Sequence, residues 1–508
     1  MPEQTTASTK STDHVDVLIV GAGISGIGVA YHLQQKQPAK SYAILEAREA
    51  IGGTWDLFRY PGIRSDSDLH TFGYSFRPWV EERTIADAPS ILRYITETAS
   101  DSGIADHVRF GVKVRSASWS SDEQRWTVEV EDIAGGHTCE MTCSWLFGAT
   151  GYYSYDQGFT PKFDGVERFE GQIVHPQFWP EELDYAGKRV VVIGSGATAV
   201  TIIPAMAGEA EHVTMLQRTP TYIVAAPAAN PIAALIKRWF GPERGHAIAR
   251  EMYVRIGGLF YKFSRNHPER MKKLIRKGNL KALGEAFDVD KHLTPPYNPW
   301  DQRMCVVPDG DLFEAIRDGK ASIVTDTIAT FTESGLLLAS GEELEADIIV
   351  TATGLQMLPF GGLKLSVDER AVSWPETFVY KGLMLTGVPN FGYVFGYTNA
   401  SWTLRVDLIA DHFCRILALM DEHGYGQCVA EAPEPGATVR PMLENFSSGY
   451  VQRTLDQFPR QGPGAPWELT MDYVRDRKQM LRGPVGDHLR FTAATGAPRR
   501  QPAVAVGA

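Results

Sequence analysis

The chain has 508 residues, 44% hydrophobic and 22% charged, long enough to bury the cores of several domains. Its formal net charge of -11 argues against a general nucleic-acid binder. The five cysteines are scattered, and the Cys139/Cys143 pair lacks a second pair at zinc spacing, so free thiols in a reducing compartment and no metal are expected. Residues 1–13 are polar, contain no apolar h-region and read as disordered, and no apolar run reaches membrane-spanning length. These features predict a cytoplasmic protein.

In chain order, the apolar run at residues 15–20 reads as a buried parallel strand. It leads into Gly21-Ala22-Gly23-Ile24-Ser25-Gly26 and then a helical pattern, which puts G-x-G-x-x-G in strand-turn-helix context. Gly21 makes the turn, Gly23 lets a pyrophosphate lie against backbone N–H groups, and Gly26 lets helix and strand pack. The helix N-terminus adds positive potential for the phosphates. The next strand ends in Glu46, twenty residues after Gly26, where an acid accepts bonds from ribose hydroxyls. An acid there suits FAD or NAD, not NADP. Residues 52–66 (GGTWDLFRYPGIRSD) follow. Here Gly52 and Gly53 permit close backbone approach to a flat ring, Trp55 and Tyr60 can wall it, and Arg64 and Asp66 bring charge beside it. Trp55 occupies the place where disulfide reductases on this scaffold carry a redox cysteine, so the flavin itself is expected to meet the substrate. The aromatics at 72–79 fit either a core cluster or a substrate wall. Residues 108–150 alternate like an antiparallel meander and end in Ala149-Thr150-Gly151.

His175 follows, with no nucleophile or metal-like cluster beside it, and reads as a hydrogen-bonded interdomain hinge. A second fingerprint, Gly194-Ser195-Gly196-Ala197-Thr198-Ala199, again joins strand to helix. The place of the ribose acid is held by Arg218 and Thr219, whose guanidinium and hydroxyl suit a 2′-phosphate. The first site therefore reads FAD and the second NADPH. Residues 231–290 turn helical, with 13 Lys or Arg against 6 Asp or Glu and interleaved aromatics. They fit either a cap packed on the NADPH domain or a membrane-surface or partner-binding insert. Arg303 closes a turn-rich loop at 297–303, with Asp301 and Asp309 as its local alternatives for pairing. Ala352-Thr353-Gly354 echoes the earlier Ala-Thr-Gly turn, and the two read as crossings between domains. The expected architecture is α/β, with two Rossmann-like dinucleotide-binding domains arranged as in glutathione reductase. Residues 14–151 and 354–483 form the FAD domain, 152–353 the inserted NADPH domain with its helical insert, and 484–508 a disordered tail.

Residues 52–66 and 169–180, the latter ending in Trp-Pro, resemble the fingerprints of flavin-dependent Baeyer–Villiger monooxygenases, and the resemblance covers nearly the whole chain. Residues 59–68, 297–303 and 396–402 resemble the mycobacterial, thioamide-activating branch of that family, one associated with membranes. The resemblance implies that Arg303 is the active-site arginine and Asp66 its carboxylate neighbour. It implies that Ser25, Glu46, Thr54, Trp55, Asp56, Leu57, Asp66 and Val114 touch FAD. It assigns Arg64, Ser65, Asp66, Val200, Arg218, Thr219 and the whole second glycine turn to NADP. The implied activity converts ketones to esters with NADPH and O2 through a C4a-peroxyflavin, and oxygenates thioethers or thioamides. A heteroatom-oxygenating flavin monooxygenase without ketone activity is the alternative. An apolar ketone or thioether is the expected substrate, with the basic insert as the candidate for peripheral membrane contact.

Overall fold

The computed structural model describes residues 13–444 and 446–495. Residues 1–12 and 496–508, for which disorder is expected, lie outside them; Asp13 already belongs to the first strand.

The first strand, Asp13–Val20, buries Val17, Leu18 and Ile19 completely. It lies between two parallel neighbours, Tyr42–Leu45 on one side and Thr138–Gly148 on the other. That position explains its unbroken apolar sequence: both faces of a central parallel strand are covered. The meander Val112–Ser120, Arg125–Asp132 and Thr138–Gly148 extends the same sheet with antiparallel register. Lys364–Val367 and Phe391–Tyr393, far along the chain, return to this sheet as parallel partners of Val112–Ser120 and Thr138–Gly148. Helix Trp402–His423 covers it, with Phe413 packed on Trp145 and Phe147, and ends on Gly424 in left-handed conformation.

Between those two passes lies a second sheet, of five parallel strands in the order Ala321–Thr325, His212–Gln217, Arg189–Ile193, Ile348–Thr351, Gln172–Val174. The chain leaves the first sheet through strand Tyr153–Gly158 and comes back through Leu355–Met357. These two segments pair antiparallel with each other, Leu355 opposite Gly158 and Met357 opposite Tyr153. The second unit thus hangs on a two-stranded stem.

Helices Pro231–Phe240, Pro242–Asn266 and Pro268–Leu283 leave the second unit after strand Ile223–Ala226. The chain returns in Cys305–Pro308, which pairs parallel with Ile223–Ala226. A cap confined to the NADPH side would leave Pro242–Asn266 clear of the first sheet, and the structure differs. Arg250, 8% exposed, donates to the carbonyls of His70, Thr71 and Gly73 and pairs with Asp407 at 2.9 Å. A buried guanidinium needs this many acceptors, and the helix supplying it is held between the two units.

The tail also departs from expectation. Leu489–Ala493, within the segment read as disordered, forms a strand antiparallel to Tyr425–Ala430. Phe491 stacks on Tyr425, so a short alternating run supplies enough burial despite the Ala, Pro and Gly around it.

Candidate active site

The two glycine turns are built alike. Gly21 has φ +106°, and a Cβ there would sit 2.8 Å from the Ala149 carbonyl. Gly194 has φ +136°, and a Cβ would sit 2.4 Å from the Ala352 carbonyl. Each Ala-Thr-Gly turn therefore packs on the first glycine of one fingerprint. Strain and collision both demand glycine at these two places. Gly23 and Gly196 are the N-caps of helices Ile24–Lys36 and Ala197–Met206 with no side-chain cap, so the first N–H groups are left to a ligand.

Around the first turn, Glu46 is 6% exposed and accepts from the N–H groups of Ala22 at 2.8 Å and Arg48 at 2.9 Å. Burial raises its pKa, and those two N–H bonds oppose the rise. Gly53, at φ +57°, lies against Gly23 and the Tyr155 hydroxyl. Trp55 meets Phe72 edge-on at 5.6 Å. Asp56 is buried and held by Arg48 at 2.6 Å and Arg59 at 2.9 Å, so its carboxylate stabilises the turn Thr54–Leu57. Val114, on strand Val112–Ser120, packs half-buried on the apolar core beneath the meander. Ser25 accepts the indole N–H of Trp402 at 2.8 Å. Of the aromatics at 72–79, Tyr74 and Trp79 are core, and Phe76 stacks on Tyr31 at 3.5 Å.

Around the second turn, the Ser195 hydroxyl donates to the Thr219 carbonyl at 3.0 Å and lies 2.9 Å from the Thr221 hydroxyl. Arg218 is exposed and has no ion-pair partner among the described residues, as a guanidinium awaiting an anion would. Arg64 is paired with Asp311 instead. His175 accepts from the Gln177 N–H at 3.2 Å, and a Cβ on Gly158 of the stem would fall 2.0 Å from its ring. Burial lowers its pKa.

Arg303 and Asp66 meet although 237 positions separate them. Nε and Nη2 of Arg303 donate to the two carboxylate oxygens, the second at 2.7 Å, a fork-on-fork pair that leaves Nη1 without a partner among the described residues. Burial pulls the guanidinium pKa down, but the Asp66 carboxylate more than reverses this and raises it. The local alternatives are otherwise engaged. Asp301 pairs with Arg265, and Asp309 accepts from the Ala228 N–H. The N-cap of helix Leu69–Phe72 is Asp68, so the nearby Asp66 is available to Arg303. In the loop 297–303 that carries Arg303, the Tyr297 carbonyl accepts from the Tyr222 hydroxyl at 2.6 Å. Beside Arg303 lies a small cavity of about 10 Å³, walled by Phe395, Trp402, Phe446 and Val451.

A family model described as flavin-binding monooxygenase-like matches residues 84–385, and one for an NAD(P)-binding Rossmann-like domain matches residues 19–82. The FAD-containing monooxygenase EthA of Mycobacterium tuberculosis is 52% identical over 482 residues, covering 94% of this chain and 98% of its own. The chain belongs to the flavin-binding monooxygenase-like family. EthA of Mycolicibacterium smegmatis is 50% identical, with 95% of this chain and 98% of its own covered. Among solved structures, an oxidized steroid monooxygenase bound to NADP superposes with a TM-score of 0.75 at 23% identity, covering 94% of this chain and 100% of that one. Open cyclohexanone monooxygenase gives 0.72 at 21% identity, over 95% and 100%. At such identities these two establish the fold that this flavin-binding monooxygenase-like chain shares with them.

Within that family fold, several residues at the site escape a motif reading. Tyr152 and Tyr153 hold their hydroxyls 2.6 Å apart beside Arg303. Tyr450 lines the same cavity. The Gly396–Trp402 loop is fixed by Arg405, 1% exposed, which pairs with Asp476 at 2.8 Å and lies 3.9 Å over the Tyr397 ring. The doubled tyrosine directly after a Gly turn was a visible signal in the sequence. Arg405 and Asp476 carried none, since either could sit on any exposed helix.

Proposed function

We propose that this chain oxygenates apolar carbonyl and sulfur compounds with FAD, NADPH and O2, turning ketones into esters and thioethers or thioamides into S-oxides. The observation that carries the reading is the Arg303–Asp66 fork beside a small aromatic cavity. The residues fit both cofactors. Uncapped N-termini stand at both glycine turns, a buried Glu46 at the first has bonding capacity for ribose hydroxyls, and an unpaired Arg218 at the second suits a 2′-phosphate. Bound flavin, reduced by NADPH, supplies the activated oxygen. Arg303 holds a fixed positive charge where negative charge develops on oxygen, the task of an oxyanion hole. Asp66 orients that fork and keeps it from swinging onto other anions. Arginine suits the task because it stays charged and rigid. The surrounding aromatic wall excludes water and strengthens the field of the guanidinium.

The deciding experiment gives purified protein, NADPH and oxygen one compound bearing both a methyl ketone and a thioether, with products identified by mass spectrometry. Ester, with or without sulfoxide, is the expected result. Sulfoxide without ester would restrict the chemistry to heteroatom oxygenation, and NADPH consumption yielding only hydrogen peroxide would remove both substrate classes.

We also infer that the insert 231–290 rests on an anionic lipid surface. Trp239 is 75% and Leu259 69% exposed, and Phe240, Ile256 and Leu274 of the same three helices are exposed as well. Lys and Arg outnumber acids about two to one in this segment, and apolar faces rimmed by cations suit such an interface. No helix among the described residues is long and apolar enough to cross a membrane, so the contact would be peripheral. Sedimentation with phosphatidylglycerol vesicles but not phosphatidylcholine vesicles is expected, and Trp239→Glu with Leu259→Glu should abolish it. Equal recovery with both vesicle types, or none with either, would refute the contact.

A further inference from the structure

The cavity beside Arg303 is unusual in what its polar groups have left to offer. The Tyr397 hydroxyl on its wall donates to Asp476 at 2.7 Å, and the Trp402 indole donates to Ser25 at 2.8 Å. Both are spent. Arg303 has given Nε and Nη2 to Asp66 and retains Nη1. Tyr152 and Tyr153 share a single bond of 2.6 Å between hydroxyls, and either can be the donor. Two phenols carry two protons, one bond uses one of them, and neither hydroxyl donates to any other group among the described residues. One O–H of this pair therefore remains unclaimed among the described residues, as do the hydroxyls of Tyr450 and Thr398 on the same wall, next to an arginine with an unclaimed N–H. With Asp66 engaged by Arg303, these remaining polar groups are donors, not carboxylate acceptors. Burial raises the pKa of both tyrosines, and Arg303 only partly offsets it, so both remain protonated through neutral pH.

The rings are held firmly. Tyr152 stacks on Trp402 with centroids 5.3 Å apart at 21° and lies 5.2 Å from Phe395. Its hydroxyl cannot swing away to solvent without breaking these contacts. Tyr152 lines the cavity, whereas Tyr153 does not. With Tyr153 donating to Tyr152, the free proton is that of Tyr152 and faces the cavity. A hydroxyl donor taken out of water without an acceptor costs about 1–3 kcal/mol, a penalty that a ligand covering this half-buried hydroxyl avoids by bringing an acceptor.

We propose that the Tyr152 hydroxyl, oriented by Tyr153, hydrogen-bonds the carbonyl or thiocarbonyl acceptor of the substrate, and so selects apolar molecules carrying one such acceptor over hydrocarbons of the same shape. Tyr152 touches the substrate in this arrangement, and Tyr153 is a positioning residue. The proposal rests on the oxygenation of carbonyl and sulfur compounds assigned to this cavity. It adds which protein atom reads the acceptor.

The test uses full-length protein loaded with FAD and NADP+, where no reductant is present and the ligand is not consumed. Isothermal titration measures binding of 2-heptanone and of 2-methyl-1-heptene, which has the same outline with the oxygen replaced by CH2. Wild type should bind the ketone more tightly than the alkene. Tyr152→Phe should weaken the ketone by about five- to tenfold, the worth of one neutral hydrogen bond, and leave the alkene unchanged. Tyr153→Phe should weaken the ketone by a smaller factor, again with no change for the alkene. FAD-to-protein absorbance ratio and melting temperature, equal to wild type in both variants, exclude misfolding as the cause. Equal losses for ketone and alkene would mean the tyrosines only fill space, and unchanged ketone affinity would mean they do not touch it; either overturns the proposal. The parent reading is judged separately, by turnover of wild type. Oxygenated product with no preference for ketone over alkene would overturn the tyrosine assignment alone. A tyrosine-dependent preference with no oxygenated product would overturn the oxygenation reading and leave the recognition intact.

Discussion

Arg303 gives two of its donors to Asp66 and keeps one end of the fork for the cavity, so its two ends do different work. In the proposed reading the Asp66 end fixes geometry, and the free end stabilises developing charge. Arg303→Ala should therefore still oxidise NADPH while the rate of ester formation falls by about 10²–10³, the usual cost of removing one oxyanion donor, and ester yield per NADPH falls with it. Coupled assays of NADPH loss and ester formation check this, and an unchanged yield would dismiss the arginine from the chemistry. Arg218 poses a different residue-scale question, because it is exposed and has no ion-pair partner among the described residues at the end of strand His212–Gln217. A charge-assisted bond to a 2′-phosphate is worth about 1.5–3 kcal/mol. Arg218→Ala should accordingly raise the KM for NADPH about ten- to a hundredfold and leave that for NADH unaltered. A parallel rise for both cofactors would show that the arginine does not read the phosphate.

At the scale of elements, the helix Pro242–Asn266 is what ties the insert to the rest of the chain, and Arg250 is its fastening. Its partner Asp407, 11% exposed in the side chain, also bonds His32 at 3.2 Å and accepts from the Ser75 N–H. Arg250→Ala would strand that carboxylate among groups arranged for a cation, a change that typically costs about 3–5 kcal/mol. The expected outcome is a lower melting temperature together with new tryptic cuts inside 231–290, and an unaltered digest would mean the helix docks without the pair. The helical character of this segment was legible from its periodicity, and so were the buried strands beside each glycine turn. What it docks on was not. Arg250 and Asp407 are 157 positions apart, and charge on an amphipathic helix reads as solvated until a distant partner is known. The Arg303–Asp66 pair was foreseeable only through resemblance, for the same reason. The strand Leu489–Ala493 was hidden by its neighbours' composition, since a five-residue edge strand has too few alternations to stand out.

Taken as a whole, the molecule buries His70, His246 and His412 in neutral form at junctions between its parts, and this gives its stability a predictable response to acid. His70 and His246 lie where the insert meets the first unit, each 1% exposed, and His412 lies fully buried against the C-terminal helix Tyr473–Arg482. Burial pushes His70 down to about 3, with Lys237 adding to it, and His246 down to about 4, with Arg250 adding to it. His412 falls to about 4 through burial and then Lys381. Each folded-state pKa is below the unfolded value near 6.5, so between pH 6.5 and 4 the unfolded chain binds protons that the folded chain refuses. Stability is then complete above pH 6.5 and declines as pH falls, by up to about 1.4 kcal/mol per unit for each histidine. Carboxylates act in a separate window. Asp347, held down at about 2 by its bonds from Arg189, is lost only below the ordinary carboxylate range. The melting temperature should accordingly drop between pH 7.5 and 5.0, before any carboxylate of this kind protonates, and His246→Gln should make the slope shallower. Because two of the three histidines seat the insert, tryptic cleavage within 231–290 should rise at pH 5.0 ahead of global unfolding. A melting temperature flat to pH 5.0 would mean that local opening lets these histidines take up protons in the folded protein, and that the insert is far less tightly seated than its Arg250–Asp407 fastening implies.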